Sequence, residues 1–234
     1  MLYEKMHLWG DSLGKGVVFD EARKRYCITP ERCVVRLQDA LEMQIVNHSR
    51  MGAIAGEGLE GFLASPAEPG TLVVIEYGGN DCDMPWAEVA ENPEGDYRGR
   101  VPLPLFRQHL RDFVSAVRER DMSPLLVTPP PLEATRYFAW VSQGLSQEAI
   151  LRFLGDVQHI YRWQEQYSIA VREVAQEMHC PLFDMRSAFL ADRRYPELFC
   201  ADGIHPNAKG HALIAEAVIA NVQELRGQLM AASA

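Results

Sequence analysis

Four short segments of this chain carry residues that can do chemistry: Gly10-Asp11-Ser12-Leu13, Asn47-His48-Ser49-Arg50-Met51-Gly52, Gly78-Gly79-Asn80-Asp81 and Asp202-Gly203-Ile204-His205-Pro206. Between them they supply a hydroxyl nucleophile, an imidazole base, a carboxylate and neutral hydrogen-bond donors, which is the set that acyl transfer needs. Serine is a weak nucleophile at neutral pH, so Ser12 requires an imidazole to take its proton. His205 then requires a group on its other ring nitrogen, and Asp202, three residues earlier, can be that group.

Each segment alone has a plainer reading. A G-D-S-L tetrapeptide arises by chance, G-x-N-D suits a turn because Gly and Asn tolerate positive φ, and D-G-x-H-P could be a loop with Pro206 opening a helix. Their placement carries more weight. Short apolar runs at 3–9, 43–46, 71–77, 124–128 and 181–184 predict strands, and helical patterns alternate with them, which is the signature of a parallel sheet. Thr29-Pro30 offers a cap and first residue for a helix over 30–42, with Cys33, Val34, Leu37, Ala40 and Leu41 at helical spacing. Phe106, Leu110, Phe113, Val114 and Val117 make one apolar face, and three prolines at 129–131 stop the strand before them. Residues 146–178 read as helix with a break at Gly155-Asp156, and 207 to about 230 as a last helix with Ala212, Ala215, Val218, Ile219, Val222 and Leu225 inward. A small hairpin is expected from 17–19 and 25–27. Three of the four segments follow a strand and the fourth precedes the last helix, so they converge on the edge where open parallel sheets hold their ligands.

With those residues in place, the chain resembles the SGNH, or GDSL, family of serine hydrolases, whose blocks present Ser, Gly, Asn and His in this order; the likeness runs from Leu8 to Gly210. The resemblance implies a flavodoxin-like three-layer α/β/α sandwich around a five-stranded parallel sheet. It further implies Ser12 as nucleophile, Asp202 and His205 as its partners, and an oxyanion hole from the N–H groups of Ser12 and Gly52 and the Asn80 side chain. No metal or other cofactor is implied. The segment 131–168 is longer than a minimal family member needs.

Composition bounds the partners. With 23 basic against 32 acidic residues the net charge is −9, which disfavours nucleic acid and anionic membrane surfaces. Five cysteines, odd in number and without a C-x-x-C pair, read as reduced thiols in a cytoplasm. No signal segment is visible, and no apolar run approaches the ~20 residues of a membrane span. One domain over 1–234 is expected, with a small-molecule ester as partner and the oligomeric state left open. Asp11, His48, Trp86, Arg136 and Tyr137 are the candidate substrate contacts, with Tyr97, Arg98, Arg100 and Trp140 beside them. The other histidines, His159 and His211 included, read as surface or packing residues. Rings interspersed with charge suit a sugar, so the expected substrate is a short acyl group, such as acetyl, on a carbohydrate or other polar alcohol. The alternatives are a lysophospholipase or thioesterase, or a non-catalytic carbohydrate-binding relative.

Overall fold

The computed structural model describes residues 3–232. Five parallel strands form the central sheet: β1 (Lys5–Gly10), β4 (Gln44–Asn47), β5 (Leu72–Glu76), β6 (Ser123–Val127) and β7 (Leu182–Phe183), in the order β4-β1-β5-β6-β7. The five lie within two residues of the expected runs, because strands covered on both faces are nearly continuous in Val, Ile and Leu. β7 is only two residues long, pairing Leu126 with Leu182 and Val127 with Phe183.

Alternation along β5 separates the layers. Val73 and Ile75 face α3 (Ala55–Ala64), α5 (Leu103–Arg118) and α8 (His159–Glu177), packing among Phe62, Phe106, Phe113 and Val174. Leu72 and Val74 face the opposite way, against α2 (Cys33–Leu41), α9 (Met185–Leu190), α10 (Ala208–Ala220) and α11 (Val222–Ala232). Glu76, next in that series, is 3 % exposed although the pattern calls for an apolar residue. Arg107 and Arg111 of α5 pair with Glu173 and Glu177 of α8 at 2.5 and 2.8 Å.

The remaining elements cluster at the carboxyl edge. They are the one-turn α1 (Ser12–Lys15), the antiparallel pair β2 (Val17–Asp20) and β3 (Arg25–Ile28), and the short helices α4 (Trp86–Glu91), α6 (Ala134–Val141) and α7 (Gln147–Leu154). Val89, Leu132, Tyr137, Ile150, Leu154 and Ile160 make a third, smaller core there. The expected hairpin forms, with Val18 opposite Cys27.

Two expectations need correcting. The helix drawn over 30–42 begins at Cys33, because Thr29 Oγ1 accepts from the Glu31 N–H and closes a separate turn while Arg32 stays extended. The last helix is two, divided at Asn221, whose N–H bonds back to Ala217 and Ile219; Ile219, expected inside, is 39 % exposed. The helix α3 was not foreseen at all, since Gly56, Gly58 and Gly61 lower its propensity. Packing demands them: a Cβ on Gly58 would lie 2.2 Å from the Tyr77 hydroxyl and one on Gly61 2.9 Å from the Trp9 ring. Among the described residues no helix is long and apolar enough to cross a membrane.

Candidate active site

Ser12 is placed by the end of β1. The chain leaves the sheet at Gly10, Asp11 caps α1 by accepting the Leu13 N–H at 2.9 Å, and Ser12 is the first helical residue. At the other end of the chain, Asp202 and His205 sit in a tight turn before α10. Asp202 Oδ1 accepts the N–H groups of Ile204 and His205, each at 3.0 Å, leaving Oδ2 to face His205 Nδ1 at 2.7 Å. His205 Nε2 lies 2.9 Å from Ser12 Oγ. Gly203 is required in this turn: its φ is +76°, and a Cβ would come within 2.7 Å of the Glu133 carbonyl and 2.8 Å of the Tyr137 nitrogen. Asn207 then caps α10 through Lys209 and Gly210.

The Asp202 carboxylate is fully buried. Burial raises its pKa, but the His205 ring and the N–H groups of His205 and Ile204 outweigh that and hold it below the usual carboxylate range. The outer side of the His205 ring is covered by Tyr26 of β3, ring centres 5.1 Å apart, with Phe19 and Trp140 stacked edge-on behind it. The hairpin between the first two sheet strands thus shields the imidazole.

Asn80 lines the same pocket as Ser12, and its side-chain nitrogen donates to Asp11 Oδ2 at 3.0 Å and to the Ala53 carbonyl at 3.1 Å. Asp11, Glu76 and Asp81 form a buried acidic group beneath this floor. Desolvation lifts Asp11 to about 6, Asp81 to about 7 and Glu76 well above its ordinary value, the last also because Asp11 is close. Asp81 is held by the N–H groups of Ala55 and Gly78.

Ser12, Asn80 and His205 open into a cavity of about 100 Å³. Of the candidate contacts, Asp11, Trp86 and Tyr137 line it, and His48 and Arg136 do not. His48 instead stacks on Trp9, centres 4.2 Å apart, with Nε2 3.0 Å from His7 Nδ1. Arg136 donates to the carbonyls of Pro196, Phe199 and Cys200, bracing the loop before the Asp202 turn. Gly52 is outside the lining set; its carbonyl accepts from Arg100 at 2.9 Å, and its neighbour Ala53 is the residue that pins Asn80. Tyr97 donates to the carbonyls of Glu88 and Asn92 at the end of α4, and Arg98 to Asp96.

Several lining residues were not anticipated: Met84 and Cys82 after the third block, Leu132, Leu154, Ile160 and Trp163 from the long segment 131–168, and His159, read from sequence as surface or packing. Helical spacing had marked Ile160 only as packing. Most polar side chains in the walls are already paired. Asp83 Oδ1 accepts from Tyr137, Trp86 and the Met84 N–H at 2.6, 2.9 and 3.0 Å, Gln164 bridges the Pro130 carbonyl and Arg186, and the Trp163 indole donates to the Cys82 carbonyl. Among the described residues no three His, Cys, Asp or Glu side chains gather as metal ligands would.

A hydrogen-bonded Ser-His-Asp set at the carboxyl edge of a parallel α/β/α sandwich defines a serine-hydrolase class of site. The sequence profile of the GDSL-like lipase/acylhydrolase family matches residues 8–213, and the chain belongs to that family of ester-cleaving serine hydrolases. It is 31 % identical over 146 residues to the bovine isoamyl acetate-hydrolyzing esterase 1 homolog (Bos taurus), an alignment covering 61 % of this chain and 51 % of the relative, so the match spans about half the relative's length. In fold it is similar to a lipase/acylhydrolase from Enterococcus faecalis (TM-score 0.61, 19 % identity, 97 % of each chain) and to the Axe2 acetylxylan esterase of Geobacillus stearothermophilus (TM-score 0.62, 21 % identity, 94 % of each chain).

Proposed function

We propose that the protein hydrolyses short-chain carboxylic esters through an acyl-Ser12 intermediate. The observation that carries this is the relay from Ser12 Oγ through His205 to Asp202, with contacts of 2.9 and 2.7 Å. His205 takes the Ser12 proton as the oxygen attacks the ester carbonyl. The tetrahedral oxyanion is met by the Ser12 N–H and the Asn80 side chain, which turns one N–H from Asp11 to serve it, whereas Gly52 lies outside the residues that line the cavity. Collapse breaks the carbonyl–alkoxide bond, and His205 protonates the departing alcohol. Water, deprotonated by His205, then releases the acid and restores Ser12.

The alcohol is small and apolar in this reading. A sugar needs hydroxyl partners as well as rings, yet Asp83 and Gln164 are spent on neighbouring protein groups, and Leu132, Met84, Leu154 and Ile160 supply carbon walls. The partial match to an isoamyl acetate-hydrolyzing esterase homolog supports the same choice. The acetylated-carbohydrate reading retains Trp86, Tyr137 and the uncommitted His159 as a possible stacking and bonding set. Steady-state kinetics with p-nitrophenyl esters from acetate to palmitate, alongside isoamyl acetate and acetylated xylose, separates them. The expected order is acetate or butyrate above octanoate, and isoamyl acetate above the sugar ester. A kcat/KM rising steadily to octanoate rejects the short-chain reading, and preference for acetylated xylose restores the carbohydrate one. Chelators are expected to leave the rate unchanged.

A further inference from the structure

The second face of the sheet holds a separate, partly open cavity of about 130 Å³, lined by side chains such as Met6 and Val74 of the sheet, Leu37 of α2, Ile214 of α10 and Leu225 of α11. Protein cores seldom leave voids larger than a water molecule, and an apolar void of this size does not hold water but does take up apolar ligands. Among the described residues two charged ones touch it, Glu76 and Arg226. Glu76 is the buried residue beside Asp11, where loss of water keeps its carboxyl protonated at higher pH than usual. Arg226 is half-buried on α11. Its guanidinium makes no hydrogen bond or ion pair with any described residue. The outer wall is lightly held, since Leu225 and Leu229 are the buried residues of the eleven in α11.

A carbon-walled cavity with one uncommitted cation complements a molecule with an aliphatic body and a single anionic end. We propose that this cavity binds a medium-chain aliphatic carboxylate, the tail among Leu37, Val74 and Ile214 and the carboxylate on the Arg226 guanidinium, whose planar fork suits it. Benzene fills an engineered cavity of roughly 150 Å³, so about five or six carbons fit inside here, with the remainder of the chain reaching toward α11. The inference is independent of the ester-cleaving pocket, although Leu13 and Glu76 border both spaces.

Calorimetric titration with octanoate, octanol and acetate, together with NMR shift mapping, tests it on the full chain. Octanoate is expected to bind with one-to-one stoichiometry and to raise Tm, octanol to bind more weakly, and acetate not at all. Arg226→Glu, a substitution at a half-exposed position, is expected to weaken octanoate by about tenfold or more and leave octanol unchanged. Leu37→Trp, which fills the void, is expected to abolish both. The indole signals of Trp86 and Trp163, which line the other pocket, should not move. Absence of octanoate binding at millimolar concentration, equal affinity in Arg226→Glu, or shifts centred on Trp86 and Trp163 would each overturn the proposal.

Discussion

A hydroxyl proton near neutral pH does not leave for water at a useful rate, so the cost of charge separation at Ser12 falls on the two groups behind it. Asp202 is suited to that role because it stays ionised: its pKa is held down despite full burial. Replacing Ser12 or His205 with Ala is expected to lower kcat by on the order of 10⁶, and Asp202→Ala by roughly 10⁴, since the three act as a unit. Intact-mass and peptide mapping after fluorophosphonate treatment should place the label on Ser12; a label elsewhere removes the assignment. Asn80→Ala is expected to cut kcat by about 10²–10³ with little change in KM, because its amide is worth most to the oxyanion. A change in KM alone would make Asn80 a substrate-binding residue. The contact of Ser12 with His205 and Asp202 was expected from the sequence because acyl transfer calls for these side-chain types, Ser12 follows a strand and the other two precede the last helix. Met84, Leu132 and Ile160 were not, since any apolar residue reads as packing until the loop that carries it is folded over the pocket.

Helices differ in how openly they announce themselves, and α3 is the instructive case. Its glycines argue against a helix locally, and only the contacts of Gly56 with His109, Gly58 with Tyr77 and Gly61 with Trp9 explain them. Gly58→Ala is therefore expected to destabilise by about 1–3 kcal/mol, as overpacking does. Gly227→Ala in α11, where nothing lies within 4 Å, should stabilise by up to about 1 kcal/mol through helix propensity alone; thermal melts of the two variants must move in opposite directions. In α10, His211 is buried with its Nδ1 facing the Cys33 N–H at 3.4 Å, and burial depresses its pKa to about 4. Between the unfolded imidazole range and pH 4 the unfolded chain binds the extra proton, so stability present above about pH 6.5 is lost as pH falls, by up to about 3 kcal/mol. Denaturant titrations at pH 7 and pH 4.5 should show a larger loss in the wild type than in His211→Gln. Equal losses would mean that His211 is not the acid-sensitive group.

At the scale of the molecule, the five strands were legible as short apolar runs between helical patterns and the three layers were implied by the family resemblance, whereas of the roof over the pocket only Trp86 and Tyr137 were expected. The segment 131–168 has ordinary helical periodicity, and nothing in that periodicity says that α6, α7 and the start of α8 fold over the carboxyl edge of the sheet. The two halves of the relay are joined only by tertiary structure, since Ser12 and His205 stand 193 positions apart. During synthesis Ser12 emerges long before the imidazole that faces it, which lies 193 positions further along the chain. In the proposed mechanism a growing chain is thus chemically silent, however much of its sheet has formed, until residues 202–205 have been added. Ribosome-stalled chains of increasing length should show this as an abrupt gain of fluorophosphonate labelling once residues 202–205 have cleared the exit tunnel, with shorter chains inert.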